Sequence, residues 1–177
     1  MILIRSLLSI MVFILSCSLY SQSANISVSM TLPIVALMDI EPSGNINLNF
    51  TAPTEAGNAL VNPVPNTSKW INYTSAIASG GLTRRITASV NKVIAGVNIR
   101  LQAASASGTG GGTLGTPTGQ VILTTTPVTI ISGIGGAYTG NGANNGHGLT
   151  LSLVPGNYAS LQAQANTAIT IVYTITE

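Results

Sequence analysis

Apolar and polar residues alternate with a period of two along most of the chain. Every second residue is apolar from Ile26 to Leu32, and again from Ile169 to Ile175. Because successive side chains of a β-strand point to opposite faces, this period predicts strands that each bury one face. Shorter runs of the same kind occupy 46–50, 86–90, 97–103, 121–123, 128–130 and 149–153. No segment has a sustained helical period, and 158–165 alone is compatible with a short helix.

Segments rich in glycine, proline, asparagine and serine separate the alternating runs. They lie at 41–45, 52–68, 78–81, 92–96 and 105–119. These residue types favour turns, because they tolerate or pre-form the backbone angles that turns require. About eight to ten short strands joined in this way predict an all-β fold, an antiparallel immunoglobulin-like β-sandwich.

Residues 1–23 have the layout of a secretory signal peptide. Arg5 precedes a long apolar run, and small and polar residues follow at 21–24. This layout predicts export and leaves 24–177 as a single β-sandwich domain, with no membrane span after the signal is removed. Cys17, the only cysteine, supports a second interpretation, because 14–17 loosely resembles a bacterial lipobox whose cysteine would be lipidated. Either route predicts a secreted or cell-surface protein.

Charged residues are sparse. The chain has six Lys and Arg residues against four Asp and Glu residues, a formal net charge of +2. No basic field is available to hold nucleic acid, so we expect no nucleic-acid partner. A metal site would need several histidine, cysteine or acidic ligands, and the chain has one histidine and no cysteine beyond Cys17. We therefore expect no metal and no cofactor.

The chemistry-bearing residues also argue against an enzyme. The carboxylates are Asp39, Glu41, Glu55 and Glu177, and the one histidine is His147. Nucleophilic catalysis needs a base beside a nucleophile, and no Gly-x-Ser-x-Gly turn is present. His147 stands between two glycines, which predicts a solvent-facing loop residue. We therefore expect no catalytic residues.

The segment 133–153 holds seven of the nineteen glycines. A phosphate-binding loop places its glycines directly before a helix, whereas this segment runs into the alternating residues 149–153. The pattern favours a turn, either a β-hairpin or a connection between sheets. Asn144, Asn145 and Gly146 supply residues that accept a positive φ. A ligand-binding loop is the alternative.

Aromatic residues offer weak candidates for a ligand contact. Trp70 and Tyr73 are three residues apart, so they would face opposite sides of one strand. Core packing is therefore favoured over a carbohydrate platform for this pair. The candidate ligand contacts are Trp70, Tyr73, Tyr138 and His147.

The two ends of the chain resemble a known family. ANISVSMTL (24–32) is an alternating N-terminal segment, PGNY (155–158) is similar to a turn before the last strand, and AITIVYTITE closes the sequence. Together they resemble the archaic chaperone–usher pilins and the related spore coat protein U domain. The resemblance implies an incomplete immunoglobulin-like sandwich that is completed by the N-terminal strand of the next subunit.

Particular residues take roles under this resemblance. The donor strand would present Ile26, Val28, Met30 and Leu32. The acceptor, C-terminal strand would present Ile169, Ile171, Tyr173 and Ile175. The segment 33–45, with Pro33 and Pro42, is predicted to be a hinge that lets the donor leave its own domain. An ordinary edge strand of its own domain is the alternative for 25–32.

The sequence thus favours a non-enzymatic structural or adhesive subunit that assembles by donor-strand complementation as a pilus-like fibre. Its partners would be other copies or related subunits and a periplasmic chaperone. The first alternative is a secreted module that binds a carbohydrate or another ligand through Trp70, a tyrosine or the 133–148 segment. A second alternative is an ice- or mineral-binding face built on Thr170, Thr174 and Thr176.

Overall fold

The computed structural model describes Leu3, residues 22–165 and residues 167–177. Within these residues the chain forms nine β-strands and one short 3₁₀ helix, and every strand pairing is antiparallel. The all-β antiparallel fold predicted from the alternation is confirmed. Most of the predicted signal peptide, with Cys17, lies outside the described residues. The strands are β1 Val35–Glu41, β2 Asn66–Ala76, β3 Arg84–Val90, β4 Val97–Ser107, β5 Gly111–Pro117, β6 Gln120–Ile122, β7 Val128–Tyr138, β8 Gly146–Pro155 and β9 Ile171–Thr176, and the 3₁₀ helix is Tyr158–Ser160.

The chain divides into two units between Leu32 and Pro33. All nine strands belong to the unit Pro33–Glu177. In the preceding unit, residues 22–32 are described and belong to no strand.

The strands form one continuous hydrogen-bonded network that folds over on itself. The main order is β6-β4-β8-β2-β7-β3-β9, with β1 added to β2 and β5 added to β7. Although β4 and β3 lie far apart in this order, they bury side chains in the same apolar cluster. The network therefore has the two-layered arrangement of a sandwich, with the core between the layers.

β2 changes partner partway along its length. It pairs with β8 between Asn66 and Ile71, and with β7 at Thr74 and Ser75. It also pairs with β1 from Trp70 to Ala76. β2 is therefore the strand through which the two ends of the network are joined.

The core follows the alternation in the sequence. In β3, Ile86, Ala88 and Val90 are buried, while Arg85 is exposed and Thr87 and Ser89 are partly exposed. The same period buries every second residue at the centre of β4. The buried apolar residues are Ile71, Tyr73, Ile86, Ala88, Val90, Ile99, Leu101, Ala103, Leu123, Ile130, Ile131, Ile134, Ala137, Leu149 and Leu151.

Two buried cations hold the ends of β1. Arg84 is 4% exposed, and its Nη1 donates to the carbonyl of Val35 and, at 3.0 Å, to Ser75 Oγ. Its Nη2 lies 3.5 Å from a carboxylate oxygen of Glu177. At the other end, Lys69 Nζ donates to the carbonyls of Pro42 and Gly44. Because both cations are buried yet hydrogen-bonded, their burial is tolerated and β1 is fixed in register.

Several local predictions were wrong. The predicted hinge 33–45 contains β1, so its irregular parts are reduced to Pro33–Ile34 and the residues after Glu41. The predicted turn material 105–119 contains β5, a strand with positive-φ glycines at 112 and 115 and a register shift between Gly112 and Leu114. Glycine that forms a bulge inside a strand has the same composition as glycine in a turn, so the pattern could not separate them.

Two alternating runs do not form strands. Residues 26–32 and 46–50 are outside every strand, although Ile46 and Leu48 pack partly against the core. An alternating segment without a neighbouring strand has no ladder to join, whatever its side-chain pattern. The predicted helix at 158–165 is reduced to the 3₁₀ turn, in which Asn157 Oδ1 accepts from the backbone N–H of Ala159.

Arg84 gives a direct test of how β1 is held. We expect Arg84→Leu to lower the free energy of unfolding by about 2–4 kcal/mol, because two strand ends and a carboxylate lose a buried donor. Arg85→Leu is the matched control, since Arg85 is exposed on the same strand, and should change it by less than about 0.5 kcal/mol. Urea unfolding of the three proteins measures both values. Equal effects of the two substitutions would contradict the assigned role of Arg84.

Candidate functional site

The described residues before Pro33 carry an unusual amount of exposed apolar surface. Ile26 is 90% exposed, Val28 86%, Met30 85% and Leu32 79%. These are the four predicted donor side chains. The small polar residues Ser27, Ser29 and Thr31 separate them. Exposed apolar side chains are common singly, but a contiguous row of four indicates an interaction site.

β9 contains most of the predicted acceptor residues. Ile171, Tyr173 and Ile175 are partly buried and pack against the core, and Ile169 does so just before the strand. The intervening Val172 and Thr174 are exposed. β9 pairs with β3 over its whole length, from Ile171 opposite Val90 to Thr176 opposite Arg85. In the described residues its other edge is unpaired.

A second free edge lies near β9. β1 pairs with β2, and no ladder joins β1 to β9, although the two strands approach each other. Met38 and Ile40 of β1 are half-buried against the same core as Ile171 and Tyr173. The core is therefore bordered here by two strand edges whose backbone groups have no strand partner among the described residues.

The glycine-rich segment is a connection between two strands that do not pair with each other. Its first part belongs to β7 and its last part to β8, and both strands flank β2. The turn proper spans 139–145. Asn144 has a φ of 67° and Gly146 a φ of 76°. A Cβ at Gly146 would lie 2.2 Å from the carbonyl oxygen of Ile71, so this close approach to β2 requires glycine.

His147 is not the solvent-facing loop residue that its glycine neighbours predict. It lies in β8 and is fully buried. Its Nδ1 is 2.8 Å from the carbonyl oxygen of Ala104, and its Nε2 is 3.1 Å from both the Tyr73 hydroxyl and the carbonyl oxygen of Leu114. Because a carbonyl only accepts, Nδ1 carries a proton and donates to Ala104. Nε2 faces the Tyr73 hydroxyl and the Leu114 carbonyl.

The two carbonyls that His147 meets lie where strand pairing is irregular. Ala104 falls within the register shift of β4 against β8, and Leu114 borders the shift of β5 against β7. A bulge leaves a backbone group outside the ladder, and a buried carbonyl without a partner is costly. The Tyr73 hydroxyl also donates to the Leu114 carbonyl. His147 and Tyr73 thus supply partners to backbone groups that the sheet does not, and these contacts explain the burial of His147.

The three aromatic candidates occupy different environments. Tyr73 is 4% exposed and belongs to the core, and burial raises the pKa of its phenol well above the ordinary value. Trp70 is half-buried and its indole lies over Gly148 of the paired strand. Tyr138 is 56% exposed, at the end of β7. Of the four predicted ligand contacts, Tyr138 therefore offers the most accessible ring.

The described residues contain no group of three or more His, Cys, Asp or Glu side chains that could hold a metal ion. No helix in the described part of the chain has the length and apolarity to cross a membrane.

Comparison with known proteins gives no match to a family model, to a characterised protein or to a solved structure.

Removal of His147 should weaken the fold. We expect His147→Ala to lower the free energy of unfolding by about 2–5 kcal/mol, because it leaves a cavity and takes away the partner of the Ala104 carbonyl. Thr150→Ala, on the same strand and half-buried, is the control and should lower it by less than about 1 kcal/mol. Chemical unfolding followed by tryptophan fluorescence measures both. A His147→Ala protein as stable as the control would mean that the ring is not a structural element.

The partial burial of Tyr173 predicts a loss of stability at alkaline pH. Burial raises the pKa of Tyr173 to about 12, above the ordinary value of about 10 that the unfolded chain has. Stability is therefore complete below pH 10 and falls as pH rises toward 12, because the unfolded state loses its proton first. Tyr173→Phe should reduce this fall by about 1.4 kcal/mol per pH unit between pH 10 and 12. Parallel pH profiles of the two proteins would contradict this assignment.

Proposed function

We propose that the exported protein is a non-enzymatic surface subunit that assembles by donating residues 24–32 of one copy to the free strand edges of the next. The observation that carries the proposal is the row of four side chains from Ile26 to Leu32, each at least 79% exposed. Full burial of such side chains is worth about 1.5–3 kcal/mol each before the entropy of ordering is subtracted. In a single copy these side chains stay exposed and contribute none of this stabilisation.

The unpaired edge of β9 is the acceptor in this proposal. A partner strand beside β9 would satisfy backbone groups that now have no strand partner, and main-chain hydrogen bonds give such complexes much of their affinity. The half-buried Ile171, Tyr173 and Ile175 already border the core. Apolar side chains of the donor would contact these residues and complete their burial.

The spacing of the donor fits this use. Its apolar residues recur every second position, so in an extended conformation they point to one face. The serines and threonine between them point to the other face and would remain in water. An exposed strand edge and an exposed apolar segment both promote association between chains, and assembly would convert this liability into an ordered contact.

A non-enzymatic role agrees with the environments of the titratable residues. Both ring nitrogens of His147 are engaged inside the core. The carboxylate of Glu177 lies beside Arg84. The resemblance to archaic chaperone–usher pilins adds the expectation of an exported, fibre-forming subunit delivered by a periplasmic chaperone.

The proposal predicts assembly that depends on residues 24–32. We expect the exported chain to form multimers whose size increases with concentration, and a chain that begins at Pro33 to stay monomeric, as measured by analytical ultracentrifugation. Val28→Asp in the full exported chain should prevent assembly, because it places a charge in the buried row. A monomeric exported chain at high concentration would contradict the proposal.

Peptide binding separates the donor role from a general stickiness of the N-terminal segment. Peptide ANISVSMTL should raise the thermal midpoint of the chain that begins at Pro33 by roughly 2–4 °C per kcal/mol of stabilisation. The control peptide carries Ile26→Asp and Met30→Asp and should leave the midpoint unchanged. Equal effects of the two peptides, or none of either, would contradict donor insertion.

A further inference from the structure

A shallow pocket lies on the outer face of β1, β2 and β7. Its volume is about 430 Å³, and it is largely open to solvent. Side chains that line it include Leu37, Asp39, Thr74, Tyr138 and Asn141. It does not involve β9, the strand proposed as the acceptor.

The pairing register sets the width of this pocket. Leu37 pairs with Thr74, and Thr74 pairs with Tyr138, so the three residues form one row across adjacent strands. Adjacent strands lie about 4.8 Å apart, so the backbones at Leu37 and Tyr138 are roughly 9.6 Å apart, with Thr74 between them. Thr74 therefore forms the floor of a shallow depression, with Leu37 on the β1 side and Tyr138 on the β7 side.

Tyr138 is held in place before any ligand arrives. It pairs across strands with Gly111, and a Cβ at Gly111 would lie 3.2 Å from Cε1 and 3.4 Å from Cζ of the ring. The ring thus rests on the glycine backbone, yet 56% of the residue remains exposed. A ring that is already ordered loses little entropy when a ligand stacks on it.

The polar end of the pocket is also pre-formed. Asn72 Oδ1 accepts from the backbone N–H of Gly142, and Asn72 Nδ2 donates to the carbonyl of Asn145, each at 2.7 Å. These bonds fix the turn that carries Asn141. Asp39 Oδ1 accepts from the N–H of Ile40, and its second oxygen has no hydrogen bond within the described residues. A carboxylate oxygen and an amide side chain thus line the same pocket as the aromatic ring.

We propose that this pocket binds a neutral pyranose ring of a saccharide. The apolar face of a sugar stacks on an aromatic ring, and its hydroxyls donate to carboxylates and exchange hydrogen bonds with amides. Asp39 is the one charged side chain among the lining residues, so an acidic sugar would meet like charge. Leu37 would add an apolar contact from the β1 side.

Saturation-transfer difference NMR tests the proposal with the exported protein. The probes are the methyl pyranosides of glucose, galactose and mannose, with methyl glucuronide as the acidic comparison. We expect transfer to at least one neutral probe and much less to the glucuronide. Absence of transfer to all three neutral probes, or equal transfer to the glucuronide, would overturn the assignment.

Variants locate the binding. Tyr138→Ala should weaken binding of the neutral probe about ten-fold, while Tyr138→Phe should retain it because the stacking face persists. Tyr158→Ala is the matched control, since Tyr158 is 52% exposed and does not line the pocket, and should bind as the parent does. If Tyr138→Ala does not fold, Asp39→Ala replaces it and should also weaken binding. Binding that is unchanged in every pocket variant would overturn the proposal.

Discussion

The change of partner in the middle of β2 is the constraint on which the rest of the structure depends. At this point the strand leaves β8 and joins β7, so its backbone groups cannot all be met by a regular ladder. Thr139 supplies hydrogen-bond partners for the backbone of Tyr73 at this point. Its N–H donates to the carbonyl of Tyr73 at 3.0 Å, and its hydroxyl accepts from the N–H of Tyr73 at 2.9 Å. Asn72 and His147 bind the neighbouring turn and bulges. Without these side chains, the fold would bury unsatisfied backbone groups at its centre.

The interior of the domain and one border of its core differ in how completely their polar groups are paired. Among the described residues, no buried side-chain nitrogen or oxygen lacks a hydrogen-bond partner. By contrast, β1 and β9 each present an edge that has no strand partner in the described part of the chain, and residues 26–32 expose apolar side chains to water. Covering the free strand edges and the apolar row would add stability, and a single copy covers neither. This contrast is why we assign the open border to an interaction between chains.

The sequence predicted elements well where one face is buried and the backbone is regular. The alternation in β3 and β4 identified buried residues such as Ile86 and Leu101 from their spacing alone. It failed at β5 and at His147, because both depend on bulges and on positive-φ glycines. A histidine between glycines has no local signal of burial; its partners are carbonyls that are 43 and 33 residues away in sequence. Tyr138 was among the predicted contacts, but the pocket around it arises from register and was not visible in composition.

β1 takes part in both the proposed assembly and the proposed sugar site. Met38 and Ile40 pack against the core, Leu37 and Asp39 line the pocket, and one edge of β1 has no strand partner among the described residues. A shallow site with one stacking ring and a few hydrogen bonds binds a single sugar weakly, since much of the binding energy is offset by ordering and desolvation. Assembly of subunits through their free edges would repeat this site along a fibre. Repeated weak sites that bind one glycan-coated surface can raise the overall affinity by factors on the order of 10²–10⁴. A fibre would therefore bind such a surface firmly, although the pocket of a single copy binds it weakly.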